Sequence, residues 1–369
     1  MDIDTSRVLD TLYQELGVHT AHHAGYPYNL SFEHEPFSRF LKYSLNNLGD
    51  PYVDGNYAIG TKSIEREVIG YFSRLYRLDD AWGYVTSCGT EGNYYGLWLG
   101  TRLLQDAAIF ASRDSHYSVG KAAAIAKTKL IYVESDPTGE MDYASLGQLV
   151  QAFDGPAIVN VNIGTTVTGA VDRVERVCEI MTRTGRRFHL HCDGALGGLL
   201  EPFLADASSL DFARYPIGSV SVSGHKFVGA AMPCGVVLAR KFLVRQIEQR
   251  VEYIGSSDTT IMGSRNGLAP LFIWHAIRHR DFAREARECR RNAEYLCNQL
   301  VRRGWNPLLN DSSTTVVFDK PPEWFCRHWQ LATSGNRAHV VVMQNHSRTW
   351  LDGFLRECDR AAEPALAAG

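Results

Sequence analysis

Short runs of apolar, β-favouring residues alternate with helix-length stretches through the middle of the chain, and this alternation limits the possible folds more than any other feature. In chain order the runs are GYVTS, AIFAS, KLIYVES, AIVNVNI, RFHLHCD, SVSVSG and GVVLA. Uninterrupted apolar strands separated by helices are typical of a parallel sheet that is buried on both faces. We therefore predict an α/β fold whose mostly parallel sheet, with helices on both faces, occupies roughly the first two thirds of the chain.

Other segments flank this region. Apolar residues at helical spacing predict two amphipathic helices, Val8, Leu9, Leu12 and Leu16 in the first and Ile64, Val68, Phe72 and Leu75 in the second. We expect the first helix to pack against another surface. Beyond Pro270, a charged helical segment, FAREARECRRNAEYLCNQLVRRG, precedes the β-like runs WNPLLN, TTVVFD and AHVVVM. We expect an N-terminal helical arm (1–44), a large domain (45–268) and a small C-terminal α/β domain (269–369).

Charge and composition narrow the range of partners. The 369 residues include 38 Lys plus Arg and 41 Asp plus Glu, a net charge of -3, which argues against a nucleic acid or anionic membrane partner. No apolar stretch approaches the roughly 20 residues that span a bilayer. Eight cysteines occur without a CxxC pair, in otherwise apolar segments. We expect reduced thiols in a soluble, cytoplasmic protein.

Ligands of open α/β sheets bind at the carboxyl ends of the strands, and the loops there carry unusual residues. After GYVTS, Gly89 and Thr90 precede a helix whose free amide groups can bind a phosphate. Such glycine turns are also common without a ligand. After AIFAS comes His116, and a lone histidine at a strand end is more often structural than catalytic.

A third loop follows the strand FHLHCD, where alternation places His189, His191 and Asp193 on one face. This spacing suits a zinc site, or alternatively a single buried carboxylate that awaits a cation. Ala195 and the absence of a neighbouring His or Cys cluster favour the carboxylate, so we expect no metal.

The fourth loop contains Lys226 within the string SVSGHKFVG. Its neighbours are small or apolar, which predicts a desolvated amine with a lowered pKa and nucleophilic character. A salt bridge to an acid at the sheet edge is the alternative. Taken together, the four loops supply a phosphate cradle, a histidine that can stack on a ring, a carboxylate for a pyridinium nitrogen and an amine. A pyridoxal phosphate site needs these parts.

The chain also resembles a known family. The strings GYPYNL, NNLGDPYVDGNY, TSCGTEGNYYG, DSHYSVGKAA, NVNIGTTVTGAVD, HCDGALGG, SVSVSGHKFVG, MPCGV and GSRNG occur in this order. They resemble the group II pyridoxal-phosphate-dependent amino acid decarboxylases, in the branch that contains plant serine decarboxylase and bacterial histidine decarboxylase. The resemblance runs from about Tyr26 to about Met343, and YPYNL and MGSRNG are more similar to the serine enzymes.

This resemblance implies a PLP-dependent transferase-like fold (fold type I) and a homodimer with the active site at the dimer interface. Lys226 would form the Schiff base with pyridoxal 5'-phosphate, Asp193 would bind the pyridine nitrogen, and Ala195 would pack under the ring opposite His116. Further implied cofactor contacts are Gly89, Thr90, Glu91, Thr165, Thr166, Ser223 and His225. Implied substrate contacts are Tyr28, Asn29, Asn56, Tyr57 and, from the neighbouring subunit, Arg265. We nominate Tyr253, in the loop after Lys226, as the acid that reprotonates Cα.

The implied activity is that of a carboxy-lyase, which removes the α-carboxylate of a polar L-amino acid such as serine or histidine to give a primary amine and carbon dioxide. One departure affects the substrate, because residues 58–61 read AIGT where the serine enzymes carry a histidine. Alternatives on the same fold are decarboxylation-dependent oxidation, a Cα–Cβ lyase or a biosynthetic condensation. A metal-dependent hydrolase built on His189, His191 and Asp193, and a non-catalytic paralogue, are further alternatives.

Overall fold

A computed structural model of the chain describes residues 5–362. The parts of the predicted arm and small domain at 1–4 and 363–369 lie outside these residues. The described helices are α1 (Thr5–Ala21), α2 (Lys62–Leu75), α3 (Gly89–Leu103), α4 (Ser118–Ile125), α5 (Tyr143–Ala152), α6 (Val174–Thr184), α7 (Glu201–Leu204), α8 (Lys241–Val244), α9 (Ala269–His279), α10 (Phe282–Arg302), α11 (Glu323–His328) and α12 (Arg348–Ala362). The strands are β1 (Ala81–Thr86), β2 (Ala108–Ser112), β3 (Lys129–Val133), β4 (Ala157–Asn162), β5 (Phe188–Asp193), β6 (Ile217–Ser223), β7 (Gly235–Arg240), β8 (Arg250–Val251), β9 (Ser256–Ser257), β10 (Leu308–Leu309), β11 (Thr315–Asp319), β12 (Ala332–Ser334) and β13 (Arg337–Val341).

The predicted large sheet is confirmed. Its seven strands follow the order β1-β7-β6-β5-β4-β2-β3, and each overlaps one of the predicted apolar runs. Strands β2 to β6 pair in parallel, whereas β7 runs antiparallel to both of its neighbours. Strands β4 and β6 are buried at every position, as expected of a sheet covered on both faces.

Two layers of helices cover the sheet, and strand β2 shows the division most directly. Ala108 and Phe110 pack into the same core as helices α2, α5, α6 and α9. Ile109 and Ala111 point to the opposite face and pack with α3 and α4. Because successive side chains of a strand alternate between its faces, consecutive apolar residues such as those of AIFAS fit a strand between two helical layers.

The C-terminal part has its own sheet, of order β10-β11-β13-β12, and all of its pairings are antiparallel. Its core includes the second half of α10, from Ala293 to Leu300, together with residues of α11 and α12. The first half of α10 packs into the large core through Ala286 and Cys289. Helix α10 therefore joins the two cores, and the predicted boundary at residue 269 precedes helices that pack on the large core.

The N-terminal arm has two contrasting parts. Helix α1 has no buried residue, and its apolar side chains Leu9 and Tyr13 are 60% and 81% exposed. The segment after it contacts both the C-terminal part and the large-sheet part of the chain. The Ala24 amide donates to the Trp329 carbonyl (3.2 Å), and the Asn29 amide donates to the Lys226 carbonyl (3.2 Å). Within residues 5–362, therefore, the apolar stripe of α1 lacks the packing surface that its sequence predicts. No helix in this range has the length and apolar character needed to cross a bilayer.

Candidate active site

The carboxyl edge of the large sheet brings three predicted residues together. Strand β5 ends at Asp193 and pairs in parallel with β6, after which Lys226 follows. His116 lies between β2 and α4. Asp193 and Lys226 both act electrostatically on His116, so the three side chains share one site. The crossover helices return the chain to the opposite edge each time, which is why strand-end residues distant in sequence meet here.

Lys226 is half-buried at this edge, and its side-chain amine is desolvated. Burial lowers its pKa because the desolvated ammonium is disfavoured, while the negative charge of Asp193 acts in the opposite direction. The turn that carries Lys226 is fixed by the N-terminal arm, since the Asn29 side-chain amide also donates to the Phe227 carbonyl (3.3 Å). A lowered pKa raises the fraction of neutral amine, which is the nucleophilic form.

Asp193 is held by two neutral donors. Its Oδ2 accepts a hydrogen bond from Asn93 Nδ2 (2.7 Å), and its Oδ1 accepts one from the Ala195 amide (3.1 Å). Only 6% of the residue is exposed. These bonds orient the carboxylate without neutralising it, so the site presents a fixed negative charge to a cation.

The His116 ring has a defined protonation state. The Ser118 amide donates to His116 Nδ1 (3.2 Å), and the Ser118 hydroxyl lies 2.8 Å from the same atom. A backbone N–H can only donate, so Nδ1 is an acceptor and the proton is on Nε2. Burial lowers the pKa of His116, although Asp193 opposes this effect. The result is a neutral planar ring, suited to stacking on another ring.

The start of α3 forms a cradle without side chains. A Cβ at Gly89 would lie 2.5 Å from Ser223 Oγ and 3.5 Å from Ala195 Cβ, so any larger residue would fill the space. Thr90 follows in the first turn of this helix, where amide groups are free to bind an anion. Nearby, Nδ1 of His225 lies 2.8 Å from the Cys234 carbonyl oxygen, which fixes its ring.

Three of the implied cofactor contacts make other bonds in the structure or lie at the surface. The Glu91 carboxylate accepts a hydrogen bond from the Tyr84 hydroxyl (2.9 Å) and closes the strand-to-helix turn. Thr165 Oγ1 lies 2.8 Å from Thr168 Oγ1, within its own loop. Thr166 is exposed. Contact of these three with the cofactor stays a prediction, which the bonds of Glu91 and Thr165 do not support.

The predicted substrate contacts fall into separate places. Asn29 touches the Lys226 turn, and the Tyr28 ring lies 5.6 Å from the His225 ring, so both are next to the site. Asn56 donates instead to the Tyr253 carbonyl (3.3 Å), in the hairpin formed by β8 and β9. Tyr253 itself is 85% exposed.

Two further predicted contacts make bonds within the chain. The Tyr57 hydroxyl donates to the Ser44 carbonyl (2.8 Å). Arg265 is buried, pairs with the Glu65 carboxylate and donates to the Gly49 carbonyl (2.9 Å). Its charge is therefore neutralised inside its own subunit, and these contacts give no support to the predicted reach into a neighbouring one.

His189 and His191, the histidines of the metal-site alternative, are hydrogen-bonded to Ser219. His189 Nε2 and His191 Nδ1 lie 3.2 Å and 2.9 Å from Ser219 Oγ. Burial lowers the pKa of His189 to about 4 and that of His191 to about 3. Across the described part of the chain, no group of three or more His, Cys, Asp or Glu side chains is arranged to hold a metal ion.

One residue at the site escaped the sequence analysis. Asn93 is buried on α3 and contacts Asp193 directly. The only sequence signal is its spacing: Asn93 stands four residues after Gly89 in α3, and residues at that spacing share one helix face.

The residues assembled here fit pyridoxal phosphate, because the structure combines an anion cradle at Gly89, a buried amine at Lys226 and an anchored carboxylate at Asp193.

Comparison with known proteins gives one consistent result. The family model described as the pyridoxal-dependent decarboxylase conserved domain matches residues 98–319. The chain is 46% identical to serine decarboxylase 1 of Oryza sativa subsp. japonica over 359 residues, which cover 95% of this chain and 74% of the relative. It is 39% identical to histidine decarboxylase of Solanum lycopersicum, covering 97% of this chain and 88% of that protein.

A similar fold occurs among solved structures. A glutamine-to-alanine mutant of L-methionine decarboxylase from Streptomyces sp. 590 superposes with a TM-score of 0.90 at 28% sequence identity. The superposition covers 99% of this chain and 96% of that one. Sheet, small domain and arm therefore have counterparts in that enzyme.

Proposed function

The chain belongs to the pyridoxal-dependent decarboxylases, and we propose that this amino acid decarboxylase acts on a polar L-amino acid, with serine as the first candidate. The observation that carries this choice is the 46% identity to a serine decarboxylase along 95% of the chain. Histidine is the second candidate because of the 39% identity to a histidine decarboxylase. The products would be carbon dioxide and the corresponding primary amine.

Pyridoxal phosphate, when bound, supplies an electron sink for the electron pair left at Cα as carbon dioxide leaves. In our proposal, Lys226 attaches this cofactor covalently through Nζ, and its burial supports the neutral amine that this requires. The Asp193 carboxylate holds a proton on the ring nitrogen, since an adjacent negative charge favours the protonated form. His116 would cover one face of the ring and exclude water from it.

The cradle at Gly89 would bind the phosphate group. The free amides at the start of α3 donate to an anion, and the Ser223 hydroxyl borders the same space. His225 Nε2 is available as a further contact, since the bonding of this ring is through Nδ1. These residues would orient the cofactor, with Asp193 toward its ring nitrogen and Lys226 toward its aldehyde carbon.

We also propose a homodimer. The exposed apolar stripe of α1 supports it, because burial of such a stripe is the main source of stability of an amphipathic helix. The exposed Tyr253 stays our candidate for the proton donor to Cα. Replacing Leu9 and Leu16 by Glu should then give an inactive monomer in analytical ultracentrifugation, whereas Gln14→Glu, on the opposite face of α1, should stay dimeric. A wild-type chain that is active as a monomer would contradict this part.

The cytoplasmic location is a proposal as well. All eight cysteines are free in the structure, including the half-buried Cys88 and Cys178, as a reducing compartment permits. Cell fractionation with a compartment marker tests it, and recovery of the protein with a secreted fraction would contradict it.

The substrate is tested by release of amine and carbon dioxide from a panel of amino acids with the purified holoenzyme. We expect the highest kcat/KM for serine, then lower values for histidine and methionine. The test matters because the loop 58–61 departs from the serine enzymes: residues 58–60 are exposed, and a Cβ at Gly60 would lie 2.9 Å from the Asn46 carbonyl oxygen. A higher value for histidine or methionine contradicts the substrate, and aldehyde in place of amine indicates a different pyridoxal reaction.

The residue roles are tested by two variants. Lys226→Ala should lose the visible absorption of covalently bound cofactor, and borohydride should no longer reduce the cofactor onto the protein. Labelling of another lysine in that variant would refute the assignment. Asp193→Asn should keep the fold and bind the cofactor but lose most of the turnover, because the amide cannot hold the ring proton. Full activity of Asp193→Asn would remove the role given to this carboxylate.

A further inference from the structure

Asn93 lies at the centre of a buried network of polar side chains beneath the site. Its Nδ2 donates to Asp193 Oδ2 (2.7 Å) and to Ser118 Oγ (3.0 Å), and its Oδ1 accepts from His191 Nε2 (3.1 Å). Both amide protons and the carbonyl oxygen are thus used. Asn93 is 1% exposed, so water does not replace any of these partners.

The direction of each bond follows from the carboxylate. Asp193 only accepts, which turns Asn93 Nδ2 toward it and Asn93 Oδ1 toward His191. His191 Nε2 therefore carries the proton, and its Nδ1 accepts from the Ser219 hydroxyl (2.9 Å). Burial lowers the pKa of His191 to about 3, so this ring stays neutral at physiological pH. The network beneath Asp193 contributes donors without a positive charge.

A second branch reaches the stacking ring. The Ser118 oxygen accepts from Asn93, and its hydroxyl proton is directed at His116 Nδ1 (2.8 Å). The same amide of Asn93 is thus connected to Asp193 and to His116. Asp193 would contact the ring nitrogen of the cofactor and His116 its ring face, and the Asn93 amide supports both side chains.

The helix that carries Asn93 is shaped to admit this network. Gly96 stands in the interior of α3, where glycine is unfavourable by about 0.5–1 kcal/mol relative to alanine. A Cβ at Gly96 would overlap Nδ1 of His191. The glycine therefore gives the imidazole the space it needs to reach Asn93.

We propose that Asn93 is the positioning residue of the decarboxylase site, which fixes the Asp193 carboxylate and, through Ser118, the His116 ring with a single amide. The inference rests on the proposed roles of Asp193 and His116. Neutral donors stabilise the carboxylate but leave its negative charge to the ring nitrogen, whereas a cationic partner would compete for that charge. Without the Asn93 amide, the Asp193 carboxylate would lose a donor that orients it, and it would hold the proton on the ring nitrogen less well.

The test is Asn93→Ala, read by nitrogen-15 NMR of the enzyme loaded with cofactor labelled at the ring nitrogen. We expect the signal to move toward that of the neutral pyridine. The cofactor dissociation constant should rise roughly tenfold, the order expected for one hydrogen bond to a charged group. The fall in kcat should exceed any rise in KM. A wild-type signal and a wild-type dissociation constant in Asn93→Ala would overturn the proposal.

Asn47→Ala is a matched control, because this buried amide also donates to a carboxylate, that of Glu65 (2.9 Å). It should lose stability but keep the wild-type nitrogen signal.

If Asn93→Ala does not fold, His191→Leu and His191→Gln are the variants that test the proposal. His191→Gln retains an N–H donor and should restore the signal that His191→Leu shifts, and equal shifts in the two variants would overturn the proposal. Asp193→Asn distinguishes a failure of the Asp193 role from a failure of the Asn93 role. An unshifted nitrogen signal in Asp193→Asn refutes the proposed role of Asp193 itself. A signal that shifts in Asp193→Asn but not in Asn93→Ala refutes only the role of Asn93.

Discussion

The buried ion pair between Arg265 and Glu65 gives the sharpest prediction about a residue whose role the sequence leaves open. Arg265 is 5% exposed and Glu65 is fully buried. Besides the guanidinium, the Glu65 carboxylate accepts from the Val85 amide (2.8 Å) and from Asn47 Nδ2 (2.9 Å). Arg265→Met would keep the apolar stem but leave this carboxylate without its only paired cation in the described chain.

Removing one partner of a buried pair costs about 3–5 kcal/mol, because a charge stays buried without compensation. The two remaining donors to Glu65 place the expected loss toward the lower end. The Gly49 carbonyl, which accepts from Arg265 (2.9 Å), loses its bond as well and adds about 1 kcal/mol. The sum is about 4 kcal/mol, and for a chain of 369 residues it corresponds to a fall in Tm of roughly 5 °C.

The assay is thermal and urea unfolding of wild type, Arg265→Met, Glu65→Gln and the double variant. The double variant should recover a large part of the loss, since no charge is then unpaired, and the cycle isolates the pair energy. The KM of the folded Arg265→Met protein should stay near that of wild type. A variant with unchanged stability and a strongly raised KM would refute this reasoning and restore Arg265 as a substrate contact.

Other expected outcomes follow from single contacts. Gly89→Ala should weaken cofactor binding roughly tenfold by filling the cradle, measured by dialysis, since overpacking costs about 1–3 kcal/mol; Gly147→Ala, where the added Cβ meets only one atom at 4.0 Å, should bind normally. Burial lowers the pKa of His346 from 6.5 to about 4, so the unfolded state binds more protons between these values and stability falls as pH drops. His346→Gln should reduce this slope by up to about 1.4 kcal/mol per pH unit below pH 6.5 and leave it unchanged above pH 7. Tyr253→Phe should lower turnover without changing Tm, and equal turnover would exclude it as the acid.

The large sheet could be predicted from the sequence because its signal is local. A strand covered on both faces is buried along its whole length, so most of its residues are apolar, as in AIFAS and AIVNVN. Strands β8 and β9 were missed, since two residues each carry no pattern. The short edge strand β12, which is half-buried or exposed, was missed for the same reason.

The position of the site could also be predicted, because ligands of such sheets gather at the strand ends. Lys226, Asp193 and His116 follow different strands, and the structure brings them together. Their roles toward the cofactor stay predictions. The sequence placed Glu91 and Arg265 at the site on resemblance alone. In the structure, Glu91 accepts a hydrogen bond from Tyr84, and Arg265 forms an ion pair with Glu65.

By itself, then, the sequence determined which segments become strands and which strand ends carry reactive side chains, since burial pattern and chain direction are properties of neighbouring residues. Only the tertiary structure decided which polar groups pair. Asn93 meets Asp193 across 100 positions and Arg265 meets Glu65 across 200. No local pattern encodes such pairs, because a buried polar atom takes whichever partner the packing of distant elements places within hydrogen-bonding distance.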